Sequence, residues 1–169
     1  MAHRTIRSGY QQLVARLNRF PQGAPPSDVL YGILKMLFSE REAGLVALLP
    51  IKPFSVQRAA QAWKMDPSGA QRVLDELAGR AILLDVMSTQ GQRLYMLPPP
   101  MAGFFEFSMM RIRGDIDQKV LSELFYQYMN VEEEFIKTLF THGETQLGRV
   151  FVHEAALSRD NALHVLDYE

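Results

Sequence analysis

The segment 52–97 constrains the fold more than any other, because it sets two short helices, a tight turn and a hairpin in uninterrupted order. Ser55 opens an amphipathic run with Val56, Ala59, Ala60 and Trp63 on one side, and Lys64-Met65 turns the chain. Asp66 is a good N-cap and Pro67 suits the first helical position, where no amide donor is needed. The helix they start runs to Leu77 or Ala78, with Ala70, Val73, Leu74 and Leu77 inward, and Gly79 is expected to stop it. Two apolar runs, 81–87 and 93–97, flank Ser88-Thr89-Gln90-Gly91-Gln92 and predict a β-hairpin with a glycine-bearing turn. Helix, turn, helix, hairpin is the order of a winged helix-turn-helix.

Helices are expected on both sides. Tyr10, Leu13, Val14 and Leu17 form a helical stripe within 8–20, with Arg16 and Arg19 off it. Pro21-Gln22-Gly23-Ala24-Pro25-Pro26 reads as a linker, which would free the first helix to pack on a neighbouring part or on a second copy. Ser27 and Asp28 cap a helix whose apolar face is Val29, Leu30, Ile33, Leu34 and Leu37. Ser39 and Glu42 form a capping box for a further helix that ends at Pro50, and 51–54 is a short extended piece. Beyond Pro98-Pro99-Pro100, three stripes follow: Met101, Phe104, Phe105, Met109 and Ile112; then Val120, Leu121, Leu124, Phe125 and Tyr128; then Phe135, Ile136, Leu139 and Phe140. Gly114 and Asn130 break them, 149–153 reads as a strand, and a weakly amphipathic tail closes the chain. The fold class is therefore mainly α with a small β-hairpin: a winged helix-turn-helix domain at 27–98, an N-terminal helix and linker at 1–26 and a helical region at 99–169.

Charge is uneven along the chain. Lys and Arg number 6 against 3 Asp and Glu over 1–51, 6 against 4 over 52–98 and 6 against 12 over 99–169, so a nucleic-acid contact belongs to the front, and the acidic back repels phosphate. The chain contains no cysteine, which excludes disulfides, thiolate metal sites and cysteine nucleophiles within it and fits a cytoplasmic protein. His3, Arg4 and Arg7 have no apolar run behind them, so no secretory signal is read, and charges interrupt every apolar stretch before it reaches membrane-spanning length.

Four residues are candidate DNA contacts: Ser68, Gln71 and Arg72 on the outward face of the second helix, which Asp75 shares, and Arg93 beside the hairpin tip. The module carries Lys52, Arg58, Lys64, Arg72, Arg80 and Arg93, but Asp75 and Glu76 share the candidate recognition helix, so its phosphate affinity is expected to be weak. Packing or protein contact is the competing use. His142, His153 and His164, with Glu144 and Glu154 nearby, match no metal-ligand spacing and read as surface or structural residues. Glu132-Glu133-Glu134 reads as acids in the first turn of a helix, not as a carboxylate pair. The Met and Phe crowding over 101–140 reads as core, with a homodimer or interdomain surface as the alternative. No Gly-rich phosphate loop and no Ser/His/Asp pattern is present, so no enzyme is expected.

The runs 36–43 (Met-Leu-Phe-Ser-Glu-Arg-Glu-Ala) and 48–55 (Leu-Leu-Pro-Ile-Lys-Pro-Phe-Ser) resemble the N-terminal region of bacterial and archaeal ferredoxin-like proteins with 4Fe-4S binding domains. The likeness continues through 73–78, 83–85 and 98–107, where Pro-Pro-Pro-Met-Ala-Gly-Phe-Phe-Glu-Phe stands, and covers most of the chain. It implies a winged-helix segment preceding a cysteine-rich cluster domain that lies beyond Glu169. The family's cluster ligands are cysteines, so none carries over to this chain, and its own cofactor content is expected to be nil.

Two functions are set against each other. One is the winged-helix portion of a ferredoxin-like iron–sulfur protein, serving as a non-catalytic docking or regulatory part in electron transfer. The other is a self-contained MarR-like transcription regulator, dimerised through helices at 8–20 and 101–140, with Arg72 and Arg93 on DNA. A purely structural adaptor is a third.

Overall fold

The computed structural model describes residues 8–20 and 22–141. Its helices are α1 (Gly9–Leu17), α2 (Asp28–Leu37), α3 (Glu40–Ala47), α4 (Val56–Trp63), α5 (Pro67–Gly79), α6 (Phe105–Met109), α7 (Gln118–Tyr126) and α8 (Glu134–Thr141). Strands β1 (Leu84–Met87) and β2 (Arg93–Met96) form an antiparallel pair in the register Leu84↔Met96 to Met87↔Arg93. Among the described residues the protein is mainly helical with this one small sheet, as the patterning predicts. The expected strand at 149–153, the histidines at 142, 153 and 164, and the tail lie outside the described residues.

Local chemistry starts most of these helices where the sequence places the caps. Ser39 and Glu42 close the expected capping box: the Glu42 amide donates to Ser39 Oγ at 3.3 Å, and the Ser39 amide donates to Glu42 Oε2 at 2.8 Å. Ser8 and Gln11 form a second box at the start of α1. Asp66 Oδ1 accepts from the Gly69 amide at 2.8 Å, with Pro67 in the first turn of α5. Lys64 ends α4 in the left-handed region at φ 53°.

The stop of α5 differs from expectation. Gly79 is its last helical residue, and the left-handed conformation falls on Ala81 at φ 56°. The Ala81 amide reaches Ala78 O at 2.9 Å and the Ile82 amide reaches Leu77 O at 3.1 Å. These bonds draw Ile82 and Leu83 under α5, both buried, so the strand begins only at Leu84. Phe54, in the expected extended piece, exchanges both backbone hydrogen bonds with Tyr95 at 2.8 and 2.9 Å, which ties the α3–α4 connection to β2.

The first helix packs within the same core as the rest. α1 crosses α3 where Gly9 meets the Glu40 carbonyl and the Gly44 backbone, an approach that only a residue without Cβ allows. Arg16, expected off the apolar stripe, is 2% exposed. Its Nε donates to Leu49 O at 3.0 Å and its Nη2 to Pro50 O at 2.6 Å, so α1 supplies a cation to the carbonyls just past α3. Burial, with some repulsion from Arg19, lowers the Arg16 pKa to about 10.

The segment read as a linker is fastened on three sides. Asn18 Oδ1 accepts from the Ala24 amide at 3.0 Å and its Nδ2 donates to Ala24 O at 2.8 Å. Gln22 Oε1 accepts from the Met101 amide at 2.7 Å and its Nε2 donates to Met101 O at 3.0 Å. Tyr128 OH donates to Pro25 O at 2.8 Å. Side chains acting as backbone surrogates give this Pro- and Gly-rich stretch the partners that no helix or sheet supplies.

The stripe expected from Met101 to Ile112 is not one helix. Met101 is extended, Ala102 is left-handed at φ 54°, and the Glu106 carboxylate accepts from the amides of Ala102 and Gly103 at 3.0 and 3.1 Å before the short α6. Ile112 lies outside it, 97% exposed. Most of the aromatic crowding is core: Phe104 and Phe105 meet edge-on at 4.8 Å, Phe105 lies 4.9 Å from Phe125, and Tyr128 lies 5.1 Å from Phe135. A π-type turn over Gln127–Val131 carries Tyr128 inward. The three consecutive glutamates do not share a first helical turn. Glu132 closes the π turn, Glu133 is left-handed at φ 57°, and only Glu134 begins α8.

Candidate functional site

The face formed by α5 and the hairpin holds all four residues that the sequence singles out. It brings two of them together and leaves two apart. Ser68, exposed at the start of α5, donates its hydroxyl to Asp66 Oδ1 at 2.5 Å and thereby serves the cap. Arg72, one turn on, is exposed and makes no hydrogen bond or ion pair with any described residue.

Gln71 and Arg93 meet across the gap between α5 and β2, through Asp75 and Tyr95. Tyr95 is buried on β2 with its hydroxyl at the surface of α5. That hydroxyl donates to Asp75 Oδ1 at 2.6 Å and accepts from Gln71 Nε2 at 2.5 Å, while Gln71 Nε2 also donates to Asp75 Oδ2 at 2.9 Å. Arg93 donates to Asp85 Oδ2 through Nε at 2.8 Å and through Nη2 at 2.5 Å. Its Nη1 lies 3.2 Å from Asp75 Oδ1, and the guanidinium sits over the Tyr95 ring, 5.5 Å from the centroid. The Tyr95 hydroxyl, with smaller help from Gln71 and Arg93, holds the Asp75 carboxyl below its ordinary range despite some burial. Burial and Asp75 together push the Tyr95 phenol up.

Gln71 and Asp75 therefore do not point outward as the helical wheel implies, because the hairpin folds over their side of α5. Sequence reasoning missed Tyr95 and Asp85. A signal for Asp85 was present: pairing 87 with 93 around the five-residue turn sets Asp85 opposite Tyr95 and diagonal to Arg93 on one face of the sheet.

Arg80, another cation of this segment, is also engaged. It pairs with Glu42 and donates to Leu37 O at 3.4 Å. Burial works to raise Glu42, but the Ser39 backbone and hydroxyl and the Arg80 charge outweigh it and leave the carboxyl below its ordinary range. Of the six cations between 52 and 98, Lys52, Arg58, Lys64 and Arg72 remain without a carboxylate partner among the described residues.

Beside the hairpin the surface is apolar. A groove of about 450 Å³ is lined by Ala81, Leu84, Phe107, Met110 and Arg111. Val86, on the same face of β1 as Leu84, is 44% exposed, and Met110 is 77% exposed. Among the described residues no group of three His, Asp or Glu side chains is placed to hold a metal ion, and without cysteine the chain offers no ligand set for an iron–sulfur cluster. No helix among them is long and apolar enough to cross a membrane. No family model, no curated protein and no solved structure matches this chain.

Proposed function

We propose that this chain is the winged-helix portion of a ferredoxin-like iron–sulfur protein and acts as a non-catalytic docking module for protein, with any cluster held elsewhere. The observation that carries the docking role is the Gln71–Asp75–Tyr95–Arg93–Asp85 network, which engages two of the four candidate DNA contacts in joining the hairpin to α5. An arginine bound by two carboxylates has little positive field left for a phosphate. The exposed apolar surface around Met110 and Ile112 has the chemistry of a protein contact. The iron–sulfur part of the reading rests on the resemblance at 36–55, 73–78, 83–85 and 98–107.

A second reading, a MarR-like DNA-binding regulator, is favoured by Ser68 and Arg72 standing exposed near the start of α5. Fluorescence anisotropy with random and upstream duplexes at low salt separates the two. The docking reading expects no duplex binding that depends on α5. Saturable binding that is lost in the Arg72→Ala, Arg93→Ala double variant overturns it. The iron–sulfur part is tested separately on the gene, where cysteine-rich sequence joined to this chain in one reading frame supports it and the lack of such sequence overturns it.

A further inference from the structure

A second groove, running along α4 beside the α3–α4 connection, is built from different chemistry. It has a volume of about 390 Å³ and is lined by Arg19, Leu48, Leu49, Pro50, Ile51, Lys52, Arg58 and Ala62. Three cations from three separate stretches of chain converge on it: the end of α1, the α3–α4 connection and the first turn of α4. No carboxylate lines the groove, and none of the three is paired with a carboxylate among the described residues. By contrast Arg80, Arg93, Arg113 and Lys137 each have an acidic partner.

The wall of this groove is also relieved of negative charge. A helix C-terminus presents carbonyls that repel anions, and α3 ends here. Two of the carbonyls beyond it, Leu49 O and Pro50 O, accept from buried Arg16, whose Nη1 has no hydrogen-bond partner. A fourth cation, the Arg16 guanidinium, therefore lies directly behind the wall. The floor is apolar, with Leu48 54% exposed beside Ile51 and Ala62.

We propose that this groove binds a small phosphate ester of mononucleotide size, its phosphates among Arg19, Lys52 and Arg58 and its organic body against Leu48 and Ile51. The volume falls in the range of small-ligand sites, and an apolar floor is of no use to a bare phosphate or to a nucleic-acid backbone crossing the surface. The inference stands apart from the docking reading and uses none of its residues.

Isothermal titration of the full chain with ATP, AMP and inorganic pyrophosphate, and with a short random duplex, tests it. One saturable site for a nucleotide is expected, weakened at least about tenfold by Arg19→Ala or Arg58→Ala and unchanged by Arg72→Ala, whose charge lies on α5. Raising the salt weakens it further. Leu48→Gln, at an exposed position and without a change of charge, is expected to weaken nucleotide binding while leaving the melting curve in place. Absence of saturation below about 1 mM overturns the proposal. So does pyrophosphate binding as tightly as the nucleotide, or a duplex binding more tightly through the same arginines.

Discussion

The hydroxyl of buried Tyr95 donates to Asp75 at 2.6 Å, and this bond helps to join β2 to the middle of α5. Gln71 closes the triangle from the same helix, at 2.5 Å from the hydroxyl and 2.9 Å from the carboxylate. Tyr95→Phe keeps the ring against Phe54 and removes only the hydroxyl. Asp75 and Gln71 are half-exposed and recover water, so the expected loss is about 1 kcal/mol, read as a lower urea midpoint with the slope unchanged. An unchanged midpoint would show that the network is incidental to hairpin docking.

The α1–α3 crossing yields an asymmetric pair of variants. A Cβ on Gly9 would collide with the Glu40 carbonyl oxygen and stand 3.0 Å from the Gly44 amide nitrogen, both fixed backbone. Gly9→Ala is expected to destabilise by about 1–3 kcal/mol even though alanine favours a helix. A Cβ on Gly44 meets only the Gly9 Cα at 3.8 Å, an ordinary contact. Gly44→Ala is therefore expected to be neutral or stabilising by up to about 1 kcal/mol. Equal effects of the two substitutions in thermal melts would contradict this geometry.

Acid sensitivity is expected at Glu42. Its carboxyl is held below the ordinary range in the folded state, so its contribution is present above that range and is lost as pH falls through the folded value. Glu42→Gln weakens both the capping box and the partner of Arg80. It is expected to lower stability at about pH 7 and to narrow the gap between about pH 7 and about pH 3, measured by urea unfolding at each. A variant with the parent's full acid slope would place that slope on other carboxylates.

Tyr128 is the corresponding case at high pH. Burial pushes its phenol well above the ordinary value of 10.0, so stability that depends on the neutral hydroxyl falls as pH rises beyond about 10. Tyr128→Phe is expected to cost about 1 kcal/mol at neutral pH, by releasing Pro25 O, and to flatten the alkaline limb. A steep alkaline limb surviving the substitution would count against the assignment.

What the sequence made legible was local. The Ser39–Glu42 box, the Asp66-Pro67 start and the turn around Gly91 depend on residues within a few positions of one another, and each appears where expected. Features set by distant contacts were not legible. Arg16 looks like a solvated charge until Leu49 and Pro50, more than thirty positions on, present it with carbonyls. Ala81 and Ala102 adopt left-handed φ values that alanine does not favour, in turns where their amides bond to Ala78 O and the Glu106 carboxylate. At the candidate site, α5 was placed correctly while the side of it that the hairpin covers was not, because a helical wheel carries no information on what folds over it.

The fastenings of the 22–26 stretch bear on how the chain is made. Gln22 waits for Met101, 79 positions later, and Pro25 O waits for Tyr128, 103 positions later. During synthesis α1 and α2 emerge first with only the local Asn18–Ala24 bonds in the loop between them, and its two distant fastenings wait for Met101 and then for Tyr128. Closure over such separations is slow. Until the segment through Tyr128 has been made, the edge of the N-terminal helices beside this loop stays unsealed and open to proteases and to aggregation.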